Sequence, residues 1–247
     1  MNTATPREKA LEKQLAEVRQ DFEAFTYAVS HDLKSPLHTI MGFVDLILED
    51  LAAGRQQTMV EDLSRVREAS QALQGQLDAV LLFSRLGRAA HVPVEISVDE
   101  LGEGLHRRWD AAFARVGGRL ELEGRAKSVY ADPVKFAALM DHLLDNALKF
   151  RSENRALCVD LRFDEEGETI GGQIRDNGKG VPPEQLERIF EMFRKVDSNS
   201  LGRGVGLTLA RKLVGLHGGR IEAQSAGLET GLTVHFVLPK TQLQHTT

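Results

Sequence analysis

The chain has 247 residues, 42% hydrophobic and 27% charged, the balance of an ordinary globular protein with room for one or two domains that each bury a core. A net charge of −5 gives no overall electrostatic reason to bind nucleic acid or an anionic membrane. A single cysteine, Cys158, excludes an intrachain disulfide and fits a reducing cytoplasm, and no apolar run is long enough for a membrane span or a signal-peptide core.

Near the N-terminus, Leu11, Leu15, Val18, Phe22, Phe25 and Val29 recur in alternating steps of four and three, a coiled-coil seam. At Val29, Leu33, Leu37 and Ile40 the spacing lengthens to an eleven-residue period, which relaxes a left-handed supercoil. The change of period falls on His31. Pro36 removes a backbone donor and predicts a kink, either a packing irregularity or a bend that exposes and hides His31. His31 and Asp32 lie off the stripe continued by Val44 and Ile47, so both are expected to reach water. An exposed imidazole beside a carboxylate can be held neutral with one ring nitrogen free as a nucleophile, although the pair alone also suits a plain helix surface.

The stretch from Ala52 to Gln57 reads as a turn. Met59, Leu63, Val66, Ser70, Leu73, Leu77, Val80 and Ser84 then mark a second helix. Two helices with one apolar face each cannot bury both faces alone, which predicts a homodimeric, antiparallel four-helix bundle. Gly87 to Pro93 interrupts the pattern and is the expected domain boundary. Beyond it, strands are expected at Val94–Ser97, Arg119–Leu122, Val129–Tyr130, Leu157–Phe163 and Thr169–Arg175, with Arg220–Gln224 and Leu232–Leu238 as a closing hairpin. Helices are expected at Val98–Val116, Pro133–Phe150 and Gly204–His217. Overall this is an α+β chain, a helical hairpin followed by an α/β sandwich. Cys158, in the apolar run Ala156-Leu157-Cys158-Val159, reads as a buried, inert thiol.

Several of these elements carry chemistry. Asn146 and Lys149 share a helix face, where a carboxamide oxygen suits a largely hydrated Mg²⁺ and an ammonium suits phosphate; a generic helix surface is the alternative. Asp176 ends a strand and opens the turn Asn177-Gly178-Lys179-Gly180. A carboxylate there can accept from the exocyclic amine of adenine, with Gly178 and Gly180 supplying positive φ and close backbone approach, or the segment is a plain Asp-Asn-Gly turn. Phe190 and Phe193 have helical spacing. The polar run from Arg194 to Arg203 reads as a lid, followed by Gly202, Gly204 and Gly206, whose backbone N–H groups can cradle phosphate at a helix start. Arg194, Lys195 and Arg203 are candidates to neutralise a transferring phosphoryl group.

Phe25–Leu37 around His31, Asp141–Phe150, Asp176–Gly180, Arg188–Arg194, Gly202–Leu207 and Gly231–Phe236 occur in an order that resembles the motif boxes of bacterial two-component sensor histidine kinases, over about Phe22 to Pro239. The resemblance implies ATP and Mg²⁺ as ligands, Asn146 as magnesium ligand, and Lys149 and Phe150 beside the phosphates and sugar. It also implies Asp176 and Thr233 on adenine, with Gly178, Gly180, Phe193, Gly204, Val205, Gly206 and Leu207 lining the nucleotide. His31 is then the phosphorylated residue, Asp32 its base or orienter, and a response-regulator receiver domain the acceptor. The implied domains are a signalling coiled coil (1–24), a dimerisation and phosphotransfer domain (25–87), a linker (88–93), an ATP-binding domain of the gyrase and chaperone type (94–239) and a tail (240–247).

Two departures stand out. His142 occupies the place of a second asparagine, where hydrolytic relatives carry glutamate, and reads as a hydrogen-bonding stand-in. Ser35, one turn beyond His31, stands where kinases that also dephosphorylate their partner often carry threonine or asparagine, and implies modest phosphatase activity. The rivals are a hydrolytic ATPase of the same superfamily and a non-catalytic nucleotide-binding scaffold. About twenty residues precede the histidine helix, so the chain is expected to be a catalytic fragment or to sense through an upstream partner.

Overall fold

The computed structural model describes residues 6–88, 91–196 and 204–241. The chain divides into two compact units, with the break between Val80 and Leu81. In the first, α1 (Pro6–Ala52) turns at Gly54, φ 71°, and returns as α2 (Gln56–Arg88). The turn is fastened by Asp50, which accepts from Arg55 Nε (2.8 Å) and from Thr58 Oγ1. Those bonds, Thr58 first, hold its carboxyl below the usual carboxylate range. Helix α1 runs without interruption through Pro36. The side chains of the Leu11–Phe25 seam lie outside the described residues. Further along, Leu37, Met41, Val44, Leu63 and Leu77 are exposed in the single chain. One hairpin therefore leaves much of its apolar surface in water.

In the second unit, β1 (Val94–Ser97) pairs with β3 (Ser128–Ala131). A five-stranded sheet is formed by β2 (Arg119–Gly124), β4 (Cys158–Glu166), β5 (Thr169–Asp176), β6 (Arg220–Gln224) and β7 (Thr233–Pro239), in the order β2-β4-β5-β7-β6. Only the β2–β4 pair is parallel. Helices α3 (Val98–Ala114), α4 (Pro133–Lys149) and α5 (Gly206–Leu216) belong to the same unit, with single 3₁₀ turns at Pro183–Gln185 and Arg188–Phe190.

Local chemistry starts the helices where expected. Ser97 caps α3 by accepting from Glu100 N, with Asp99 and Glu100 placed against the positive end of the helix dipole. Asp132 caps α4 by accepting from Val134 N and Lys135 N (both 3.1 Å), and Pro133 takes the first helical position. Along α4, Phe136, Leu139, Met140, Leu143, Leu144 and Ala147 form the buried stripe, and along β4 every second residue, Val159, Leu161 and Phe163, is buried. The rings of Phe136, Phe163 and Phe236 meet with centroids 6.2–6.3 Å apart. Gly172, opposite Phe236 in the register, leaves the space that this ring occupies.

The structure corrects two local readings. Cys158 is half-buried rather than enclosed, because it alternates with Val159 and faces away from the core, its Sγ 4.0 Å from Asp160 Oδ1. The last helix begins at Gly206 rather than Gly204, since Gly204 has φ 68° and stands outside it. At the expected boundary, Leu86 already packs against the core of the second unit. In the same way, Val92 N–H donates to Asp132 Oδ2 (3.0 Å), within the stretch read as linker.

Candidate functional site

On α1, His31 Nδ1 lies 3.0 Å from Asp32 Oδ1, and the His31 side chain is 72% exposed. With Nδ1 as the protonated nitrogen donating to Asp32, the Nε2 lone pair is left facing solvent. Ser35 is exposed one turn on, and its carbonyl accepts from Thr39 Oγ1 (3.1 Å) beside the backbone gap created by Pro36.

In the second unit, Asp176 ends β5 half-buried. Its Oδ1 accepts from Gly178 N (2.8 Å) and Leu232 N (3.2 Å), and Oδ2 has no partner among the described residues. Burial pushes this carboxyl above its usual range. The turn after it is built by close approach. Lys179 N donates to Phe150 O (2.8 Å) at the C-terminus of α4, and a side chain on Gly178 would run into that carbonyl. Gly178 therefore serves for proximity alone, and positive φ is taken only by Gly180, at 68°, which also packs against Gly227 O. Asn177 ties the turn to β4: its side chain accepts from Cys158 N (2.8 Å) and donates to Ala156 O (2.9 Å).

The register sets Thr233 apart from this pocket. It lies opposite Arg175, and the alternation of β7 turns it away from the face that Val234 and Phe236 bury. The residue whose backbone meets Asp176 is Leu232, donating to the carboxylate and accepting from Asp176 N (2.9 Å). A one-residue step in a strand reverses the face.

On α4, Asn146 and His142 are half-buried, with burial lowering the His142 pKa so that its imidazole is neutral at pH 7. Lys149 is paired with Asp145, one turn back on the same helix. Phe193 adopts φ 61°, rare for a bulky residue, and Gly204 packs against the backbone of Phe193 and Arg194. The two described ends of the intervening segment are thus brought together. Arg203, Gly202 and most of the expected lid lie outside the described residues. Phe190 is buried with Arg211 Cζ 4.2 Å from its ring centroid. Arg194 Nε and Thr208 Oγ1, the latter in the first turn of α5, are buried with no hydrogen-bond partner among the described residues. Two orphaned donors beside a glycine-led helix start fit an oxygen-rich anion such as a phosphate chain. Asn146 fits Mg²⁺ in turn, since that ion asks for few protein ligands when phosphates complete its shell. Among the described residues no group of three or more His, Cys, Asp and Glu could hold a metal unaided. Thr208 and Leu232 went unread as site residues. A lone threonine in a helix carries no signal, and Leu232 acts through its backbone.

Residues 23–89 match the family model of the His Kinase A (phospho-acceptor) domain, and residues 131–242 match the histidine kinase-, DNA gyrase B-, and HSP90-like ATPase. The chain is the catalytic core of a two-component sensor histidine kinase. This kinase core is 35% identical over 239 residues to the methanogenesis regulatory histidine kinase FilI of Methanothrix harundinacea, covering 93% of this chain and 26% of that protein. Against cyanobacterial phytochrome B of Nostoc sp. it is 30% identical over 231 residues, 91% of this chain and 30% of the relative. The chain thus spans roughly a quarter to a third of these relatives' length. Among solved structures, histidine kinase ThkA in complex with response regulator protein TrrA matches with a TM-score of 0.66 and 18% identity, over 98% of this chain and 68% of that one. The catalytic domain of ThkA matches with a TM-score of 0.53 and 22% identity, over 61% of this chain and 97% of that domain. Both establish the fold. Among the described residues of the kinase core, no helix is long and apolar enough to cross a membrane.

Proposed function

We propose that this kinase core is a homodimeric enzyme that phosphorylates its own His31 from ATP in the cytoplasm and passes the phosphoryl group to an aspartate of a response regulator. The observation that carries the reading is the 3.0 Å contact between His31 Nδ1 and Asp32 Oδ1 on an exposed helix face. Asp32 holds the proton on Nδ1, so Nε2 is the nucleophile. As Nε2 bonds to the γ-phosphorus, the bond to the β–γ bridging oxygen breaks and ADP departs. The imidazolium charge that develops is stabilised by the Asp32 carboxylate, which can take the Nδ1 proton.

The other residues position the donor. Asp176 Oδ2 accepts from the adenine amine, and the backbone N–H groups at the start of α5 face the phosphates. Arg194 and Lys195 offset charge on the transferring group. Asn146 would hold Mg²⁺ through its carboxamide oxygen; the ion supplies charge neutralisation on the phosphates. His142, neutral, serves as a hydrogen-bonding group on the same helix. Dimerisation is supported by the apolar hairpin residues that a single chain leaves exposed, Met41 at 57% and Leu63 at 53% among them.

The test is incubation with Mg²⁺ and γ-labelled ATP. An acid-labile, alkali-stable label is expected on the wild type and none on His31→Gln, which should still bind ATP. Persistent labelling of His31→Gln would refute the assignment.

A further inference from the structure

The turn after Asp176 is held by a residue that lies outside every recognised motif, Arg155. Arg155 lies between the end of α4 and the start of β4. Its Nε donates to Asn177 O (2.6 Å), and its Nη2 is shared among Gly178 O (3.0 Å), Glu229 O (2.6 Å) and Glu229 Oε2 (3.2 Å). Glu229 belongs to the β6–β7 connection and has φ 61°, in the left-handed region. Its carboxylate also accepts from Ser152 Oγ (2.7 Å), itself buried, and its N–H donates to Lys179 O (2.6 Å). One guanidinium therefore joins the turn after Asp176 to the loop that leads into Leu232. Those two segments supply both donors to Asp176 Oδ1, Gly178 N and Leu232 N. If the segments drift apart, the carboxylate loses the bonds that fix its rotation.

A planar fork suits this task. It reaches carbonyls on two segments at once, adding to the backbone bond that Gly231 N gives Gly178 O (3.1 Å) across the same gap. Glu229 completes the arrangement by fixing the guanidinium plane, and the uncommon backbone conformation at Glu229 is tolerated because Lys179, Ser152 and Arg155 all bind it.

We propose that Arg155, oriented by Glu229, is a positioning residue for base recognition: it locks the Asn177–Gly178 turn to the β6–β7 loop so that Asp176 presents one fixed oxygen to the adenine amine. This rests on the reading of Asp176 as the adenine acceptor. A purely structural brace would alter stability and the affinity for every nucleotide alike, whereas a positioning residue alters the choice between bases.

The experiment is calorimetric titration of the whole chain, with Mg²⁺, against ATP and against ITP, whose hypoxanthine replaces the amine with an oxygen. Arg155→Met should weaken ATP binding by about tenfold while ITP binding changes much less, so that the preference for ATP largely disappears. Glu229→Gln keeps the backbone and the guanidinium and should erode the preference in the same direction by about threefold. It serves if Arg155→Met does not fold. Equal weakening toward both nucleotides, or an unchanged preference in both variants, would overturn the proposal. Asp176→Ala separates the causes. If it abolishes the preference while the Arg155 and Glu229 variants keep it, the role of Arg155 alone fails; if it retains the preference, the reading of Asp176 fails and the proposal with it.

Discussion

Replacing Asp176 by asparagine should divide binding from folding. Asparagine keeps an oxygen where Oδ1 now accepts from Gly178 N at 2.8 Å and Leu232 N at 3.2 Å, so the turn stays closed. What changes is the other atom, which becomes an NH₂ donor facing adenine's own amine. Loss of a charge-assisted hydrogen bond costs about 1.5–3 kcal/mol, and the two opposed donors add about 1–3 kcal/mol of unmet desolvation. Together these weaken ATP binding by on the order of a hundredfold to ten-thousandfold. Stability should move the other way. Burial raises the Asp176 carboxyl, so its contribution to stability is present below the ordinary 3.8 and lost as pH rises through the shifted value. At pH 7.5 the charge is a cost that asparagine lacks. Calorimetry with ATP and thermal melts without nucleotide measure the two effects, and ITP, which presents an acceptor, should lose much less affinity than ATP. A melting temperature well below wild type, or an ATP affinity within threefold of it, would refute this account of the carboxylate.

Gly231→Ala should be severe, because Gly231 has φ 81° and an added Cβ would collide with the carbonyl of Asp176; a loss of about 2–4 kcal/mol is expected in denaturant melts. Acidification should destabilise the second unit before carboxylates titrate. His217 Nε2 accepts from Asp132 N (3.0 Å), its Nδ1 faces Leu213 O, and its ring meets that of His91 edge-on at 4.7 Å. Burial, with the Lys135 ammonium nearby, lowers both histidine pKa values, so their contribution is full above about the ordinary 6.5 and is lost as pH falls below it. Burial pushes Asp132 up, but bonds from Val92 N, Lys135 N and the Lys135 ammonium override it and hold the carboxyl at about 2, so it stays ionised throughout. Melts from pH 7.5 to 5 should decline, less steeply in His91→Phe; a flat wild-type profile would count against it. Leu63→Asp, at a position 53% exposed in one chain, should leave the helices formed yet dissociate the dimer by at least about a hundredfold, since a charge then replaces a covered leucine. Light scattering that still reports a dimer would argue for another interface.

Much of the fold was legible because local signals agreed. Asp132 before Pro133, Ser97 before Asp99 and Glu100, and the alternation through Val159, Leu161 and Phe163 each state an element and its buried side. The exposure of His31 and Asp32 was legible too, since both fall off the apolar stripe. What could not be read depends on strand parity or on distant partners. Thr233 and Leu232 differ by one position, and only the pairing with β5 decides which of them meets Asp176. Cys158 looked enclosed because its neighbours are apolar, yet the same alternation that buries Val159 turns it outward. Arg155 and Glu229 lie far apart in sequence, and no periodicity links them.

The sheet ends at β2 and β6, and what those strands carry bears on how copies of this protein avoid one another. An unpaired edge ordinarily recruits a further strand from any chain that offers one. Here Arg119, Glu121 and Glu123 punctuate one edge and Arg220 and Glu222 the other, so a strand approaching from a second copy would have to strip water from charged side chains at intervals. The helical hairpin carries no such deterrent along Met41, Val44 and Leu63. Self-association is thereby steered away from the sheet edges and toward the helices that carry His31. Copies of the chain can then crowd without their sheets polymerising.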